Sequence, residues 1–289
     1  LKISLLEKHK GSLMYEEYWH LQARPFENRQ SGEFYYPSET HQAAMLKLRY
    51  SIENRRAAAL LCGPSGIGKS LLAELLTKQL DETYRPIQHL VFPALDSSQL
   101  LRYLVRQLDA SAADEPRETS ADLLRFERFL QSNLEAQRHA VVIVDEAQLL
   151  EQNGLLEPLR LLLNVAATQS PGESAWTLVL AGQPTLLSHV ERYHALDERL
   201  AVKCMLNRLL PEETSSYIQH RIRAAGGRTE AIFDDESIER IHQLAQGIPR
   251  RINRLCDLAL MVGFAEERPI VSAPVIDSIH SDLATPAVG

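Results

Sequence analysis

The sequence has only three cysteines in 289 residues, Cys62, Cys204 and Cys256, an odd number with no CxxC spacing. A disulfide framework and a cysteine zinc site are thereby excluded, and a reducing cytosol fits best. No apolar run approaches the roughly 18 residues that a membrane-spanning helix requires. The richest stretches, around Leu161 and Leu178, are broken by Pro171, Gly172 and Glu173. Ten histidines form no HExxH pair, and His189 with His194 reads as surface or helix packing, not as a metal pair. A basic excess is also missing: 31 lysines and arginines face 38 acids, for a net charge of −7. This balance disfavours constitutive DNA binding and leaves only a local basic patch open. With 13 glycines, 14 prolines and no low-complexity segment, the chain is neither fibrous nor disordered. What remains, 45% hydrophobic and 24% charged residues, is an ordinary globular composition with length for roughly two domains.

Leu1 to Leu13 carries four lysines or histidines and no methionine before Met14, and reads as a remnant outside the folded protein. Tyr15 to Tyr50 holds Tyr18, Trp19, Phe26, Phe34, Tyr35 and Tyr36, then a helical pattern over His41 to Ile52. From there apolar runs alternate with amphipathic segments. Strands are predicted at Ala57–Leu61, Gln88–Phe92, Ala140–Val144, Trp176–Ala181 and Ala201–Leu206, with helices after Ser70, at Leu95–Leu108, up to Leu134 and at Leu155–Thr168. Continuous apolar strands separated by helices indicate a parallel sheet covered on both faces. Beyond Leu210 the strand signals fade, and helices are predicted at Glu212–Ala225, Asp235–Gln246, Arg250–Ala265 and Ala273–Leu283. The expectation is an α/β domain over residues 14–210 followed by a helical domain over 211–289.

Two constellations carry chemistry. Gly63-Pro64-Ser65-Gly66-Ile67-Gly68-Lys69-Ser70 fits GxxxxGK[ST] between a predicted strand and a predicted helix. Glycines let backbone N–H groups close on phosphate oxygens at a helix N-terminus, Lys69 supplies a compact charge, and Ser70 offers a hydroxyl to Mg²⁺. The same glycines fail two other patterns. A nucleophile elbow would need glycine at Ile67, and a dinucleotide fingerprint would need it at Leu71. The second constellation is the strand Val141-Val142-Ile143-Val144 ending in Asp145-Glu146. Asp145 is placed to hold Mg²⁺ and Glu146 to polarise a water attacking a γ-phosphate. An apolar wall suits a base edge, so Phe26, Tyr36 and Pro249 are candidates for an adenine pocket.

Asp145-Glu146-Ala147-Gln148, Leu159-Arg160-Leu161-Leu162-Leu163-Asn164, Ala181-Gly182-Gln183-Pro184, Arg199, and Gly247-Ile248-Pro249-Arg250-Arg251-Ile252-Asn253 occur in that order. Together they resemble the AAA+ ATPases of the general secretion pathway protein A, or ExeA-like, family, over about Tyr15 to Leu283. The one small departure is Ser70 where threonine is usual. The resemblance implies an AAA+ P-loop NTPase core with a five-stranded parallel sheet, a C-terminal α-helical lid, and hydrolysis of ATP to ADP with Mg²⁺. It implies phosphate-loop contacts over Gly63 to Leu71, Gln183 as a polar sensor, Arg250 as a second sensor with Arg251 as fallback, and Arg199 as an arginine finger acting in a neighbouring subunit. Arg192 and Arg208 lie near Arg199 and leave the choice of finger open. The resemblance further implies a ring-forming homo-oligomer, located in the cytoplasm or peripheral to the inner membrane, that serves secretion or pilus machinery. A second resemblance, to TniB-like AAA+ proteins of transposition, implies ATP-dependent DNA binding instead, with Arg221, Arg223, Arg228, Arg250, Arg251 and Arg254 as candidate phosphate contacts. A nucleotide switch with little turnover is the third reading.

Overall fold

A computed structural model describes residues 15–27, 32–91, 95–108, 119–165 and 172–284. The remnant assigned to residues 1–13, the strand end at Phe92, most of the polar break after Leu108 and the helix end at 166–168 fall outside the described residues. The chain divides into two compact units, Glu39–Asn207 and the residues up to Ser38 together with those from Arg208.

The first unit opens with α1 (Glu39–Glu53), then β1 (Ala58–Cys62), α2 (Lys69–Gln79), β2 (Ile87–Leu90), α3 (Ser97–Leu108) and α4 (Thr119–Glu135). It continues with β3 (Ala140–Val144), two short helices α5 (Leu149–Gln152) and α6 (Leu156–Leu162), and β4 (Trp176–Gly182). It closes with α7 (Thr185–Arg192), α8 (His194–Asp197) and β5 (Leu200–Met205). All five strands are parallel, in the order β2-β3-β4-β1-β5. Every residue of β1, β3 and β4 is buried, as expected for strands covered on both faces. Val142, Val144, Leu178 and Leu180 join Leu104, Phe126, Leu130 and Leu159 in one core, while Val141, Ile143 and Val179 on the alternate face are equally buried. The four-residue helices α5 and α8 are too short to show a periodic apolar face, and α7, which buries Leu186 and Val190 one turn apart, is likewise absent from the sequence reading.

The second unit contains α9 (Pro211–Ala224), α10 (Asp235–Ala245), α11 (Pro249–Ala265) and α12 (Ala273–Ala284). Its composition corrects the expected boundary: the aromatic segment before Ser38 belongs here and not to the α/β domain. The reason is packing. Tyr15, Trp19, Phe26 and Phe34 are buried in one cluster with Ile218, Ile222, Cys256 and Leu260 of the helices. Trp19 Nε1 donates to Leu260 O at 2.9 Å, and a Cβ at Gly263 would lie 2.7 Å from the Trp19 ring. Arg221 donates to Pro25 O at 2.5 Å and Glu27 O at 2.8 Å, fastening the segment to α9.

Candidate functional site

In a parallel sheet, loops at the carboxyl ends of the strands converge where the strand order switches. Here β1 lies between β4 and β5, so the chain that leaves β1 must cross over β4 and β3 to build β2. The phosphate loop leaves β1 at Gly63, the acid pair leaves β3 at Asp145, and β4, ending at Gly182-Gln183, runs between them. The sequence order of these motifs thus becomes a row at one end of the sheet.

The loop is shaped by its glycines. Gly66 and Gly68 adopt φ of +80° and +111°, a region costly for residues with a Cβ. A Cβ at Gly68 would also lie 3.2 Å from His41 Nε2. His41, buried on α1, places that nitrogen 3.0 Å from Ile67 O and braces the loop from behind. Lys69, 6% exposed in the first turn of α2, donates through Nζ to Gly63 O at 2.9 Å and Pro64 O at 3.2 Å. The ammonium is therefore held against the loop that would wrap a phosphate chain. Burial raises the thiol of Cys62, the last residue of β1, to about 11, so it stays protonated as a core residue. All three cysteines are buried and free.

Ser70 Oγ donates to Asp145 Oδ2, which brings together the two oxygen ligands that the sequence assigned to the metal. A hydroxyl and a carboxylate side by side at the mouth of a phosphate loop suit Mg²⁺, which prefers oxygen donors and uses few of them from the protein. His89 at the end of β2 sets Nε2 3.9 Å from Asp145 Oδ2. Glu146 turns sharply out of the strand with φ +48°, an uncommon conformation for a residue with a side chain. Its neighbours enforce the turn: Asp145 N–H donates to Leu90 O at 2.8 Å and Ala147 N–H to Ala181 O at 2.9 Å. Glu146 N–H donates to its own neighbour's Asp145 Oδ1 at 2.9 Å. Gln148 Nε2 donates to Glu146 Oε2 at 2.5 Å, and Gln148 Oε1 accepts from Gln183 N–H at 3.0 Å.

Lys69, Ser70, Asp145, Glu146 and Gln183 are thus gathered at one sheet end. Arg199 is not. It is exposed before β5, at the opposite, amino-terminal end, since Leu200 is in register with Ala58 and Met205 with Cys62. Arg192 is engaged with Glu151 at 2.8 Å, and Arg208 donates to Gln246 at 3.1 Å. Arg250 and Arg251 are exposed in the first turn of α11. Phe26, expected at an adenine wall, is instead a core residue of the helical unit, 2% exposed and edge-on to Phe233. Tyr36 rests edge-on against Tyr217, and Pro249 opens α11. Arg221, one of the candidate DNA contacts, is buried by the bonds described above and unavailable to a duplex. Among the described residues no group of three or more His, Cys, Asp or Glu could hold a metal, and His189 Nδ1 lies 2.7 Å from a carboxylate oxygen of Glu151. Sequence reasoning missed His41, His89 and the bonds of Gln148; only Gln148 carried a signal, as the fourth residue of Asp-Glu-Ala-Gln.

A doubly covered parallel sheet with this loop and acid pair at its carboxyl end defines a P-loop nucleotide-binding protein. Residues 52–190 match the family described as "AAA domain". The chain is 32% identical over 255 residues to general secretion pathway protein A of Aeromonas hydrophila, a match that takes in 87% of this chain. The chain spans 45% of the length of that relative. Among solved structures it is similar to the ORC2 protein of Aeropyrum pernix in its ADPNP and ADP complexes, with TM-score 0.66, 18% identity and coverage of 90% of this chain and 72% of that one. It is also similar to the RuvB Holliday junction branch migration motor of Thermotoga maritima, with TM-score 0.57, 17% identity and coverage of 89% and 73%. The chain thus carries an AAA domain on an α/β P-loop NTPase fold, and it is similar to general secretion pathway protein A over most of its own length. No helix among the described residues is long and apolar enough to cross a membrane.

Proposed function

We propose that this protein hydrolyses ATP as an oligomer, with each active site completed by a neighbouring subunit. The observation that carries the reading is the convergence of Lys69, the Ser70–Asp145 pair and Glu146 at one end of the sheet. Lys69 and the loop amides would hold the β- and γ-phosphates, and Ser70 with Asp145 would hold Mg²⁺. The ion, when bound, neutralises phosphate charge and orients the transferred group. Glu146 accepts a proton from the attacking water, and Gln183, exposed at the end of β4, orients that water against the γ-phosphate. Arg250 serves as the nucleotide sensor of the helical unit.

The position of Arg199 supports action in trans. Six residues of β5 at roughly 3.3 Å each separate it by about 20 Å from its own phosphate loop, beyond the reach of one arginine side chain. The 32% identity to general secretion pathway protein A supports work on secretion or pilus machinery at the inner membrane. The test is steady-state phosphate release beside nucleotide binding. Glu146→Gln is expected to bind ATP as the wild type does and lose nearly all turnover; unchanged turnover removes Glu146 from its role.

One observation favours DNA as partner: Arg250, Arg251 and Arg254 are all exposed on the first turns of α11. Anisotropy of a labelled duplex with Glu146→Gln protein, with ATP and then ADP, decides. Binding that needs ATP and weakens steeply with salt favours the transposition-like reading.

A further inference from the structure

Gln148 is a buried polar side chain to which the mechanism above gives no task. It is 8% exposed, and both ends of its amide are engaged. The NH₂ end holds Glu146 Oε2, and the carbonyl end holds the backbone N–H of Gln183. The slot is cut to fit: a Cβ at Gly182 would lie 2.7 Å from Gln148 Oε1 and 2.7 Å from Leu186 Cδ2. The glycine of Ala181-Gly182-Gln183 therefore makes room for this amide.

Two features say what the clamp does. The Glu146 backbone is already fixed by bonds on either side of its φ +48° turn, so the remaining freedom lies in a half-buried, flexible side chain. Among the described residues, Oε2 alone of its two oxygens has a hydrogen bond, so Oε1 is left to take a proton. We propose that Gln148 is a positioning residue for ATP hydrolysis. It fixes the Glu146 carboxylate through Oε2, presents Oε1 to the water, and ties that orientation to the strand end that carries Gln183. The water-activating acid and the polar sensor then move together. This rests on the ATPase reading above.

Two variants separate this role from simple satisfaction of a buried N–H. Gln148→Met keeps the volume and removes both bonds. Gln148→Glu keeps an acceptor for Gln183 N–H but sets a carboxylate against Glu146. Both are expected to keep ATP affinity and KM within about twofold while kcat falls about ten- to a hundredfold, the scale of losing a carboxylate's orientation. A Gln148→Glu kcat within twofold of wild type would mean that the amide only satisfies the Gln183 N–H, and would overturn the proposal. A rise in kcat in either variant would overturn it too, because the clamp would then be holding Glu146 idle. A second readout needs no nucleotide: in ¹⁵N NMR one side-chain amide proton of Gln148 should resonate downfield, and Glu146→Ala should abolish that displacement. An unaltered Gln148 signal in Glu146→Ala removes the bond and the proposal with it, and this measurement decides even if Gln148→Met fails to fold. Wild-type turnover no greater than that of Lys69→Ala would sink the ATPase reading itself; turnover present but indifferent to Gln148→Glu sinks this inference alone.

Discussion

If Arg199 works only in a neighbour's site, two inactive proteins should repair one another. Lys69→Ala removes the phosphate-binding ammonium from a subunit but leaves its Arg199 in place, and Arg199→Ala does the reverse. Fingers of this type are worth on the order of a thousandfold or more in rate, so each variant alone should be nearly silent. In a head-to-tail ring each site meets one neighbour's finger. In an equal mixture, half of all subunits keep Lys69, and half of those sit beside a subunit that keeps Arg199, so the mixture should reach about a quarter of the wild-type rate. The assay is phosphate release across mixing ratios at a protein concentration where sedimentation shows assembly. The curve should peak near equal proportions and vanish at both ends. Arg192→Ala is the control, because Arg192 is already occupied by Glu151. A mixture no more active than the sum of its parts would refute trans completion, and an Arg199→Ala protein with wild-type turnover would refute the finger outright.

Two further expectations concern stability. Gly247 has φ +66°, and a Cβ there would lie 2.2 Å from Leu209 O, across the hydrogen bond that Leu209 N–H donates to Gly247 O at 2.9 Å. Gly247→Ala should cost the helical unit about 3 kcal/mol from left-handed strain and overpacking together; a loss too small to measure in urea melts would contradict the packing. His139 is fully buried, and its Nε2 lies 2.8 Å from Thr177 Oγ1, whose proton is already given to Arg56 O at 2.6 Å. Nε2 must then carry the imidazole's proton, and Nδ1 has no partner to share a second one. Burial accordingly lowers this histidine from 6.5 to about 3. Between those values the unfolded chain binds the extra proton, so stability rises with pH and is lost on acidification from 6.5 towards 3. His139→Gln should remove up to about 2 kcal/mol of the stability difference between neutral pH and pH 5; an unchanged pH dependence would refute this assignment.

What was legible in the sequence follows from what is local. β3 was readable to the residue, Ala140–Val144, because a short run with four β-branched residues in succession, closed by two acids, favours a strand over a helix. The phosphate loop was readable because its glycines, lysine and serine act within one turn of chain. β2 was displaced, Ile87–Leu90 against an expected Gln88–Phe92, because an edge strand with half-buried residues has no continuous apolar run to mark its ends. The N-terminal segment was assigned to the wrong unit for a different reason. Trp19 and Phe26 announce burial, but their partners Leu260 and Phe233 lie more than two hundred residues away, and no periodicity encodes that distance.

The candidate site divides along the same line. Asp145 and Ser70 were assigned one task separately, and the fold joins them; that step needed only the rule that strand carboxyl ends converge. The role of Gln148 needed more, because it depends on β4 lying between β1 and β3, which places Gln183 N–H within reach of an amide four residues after the end of β3. Insert no strand there and Gln148 has nothing to hold on its carbonyl side. The strand order that separates the phosphate loop from the acid pair therefore also supplies the backbone donor that can fix the acid, and Gly182, lacking a side chain, is what lets the two meet.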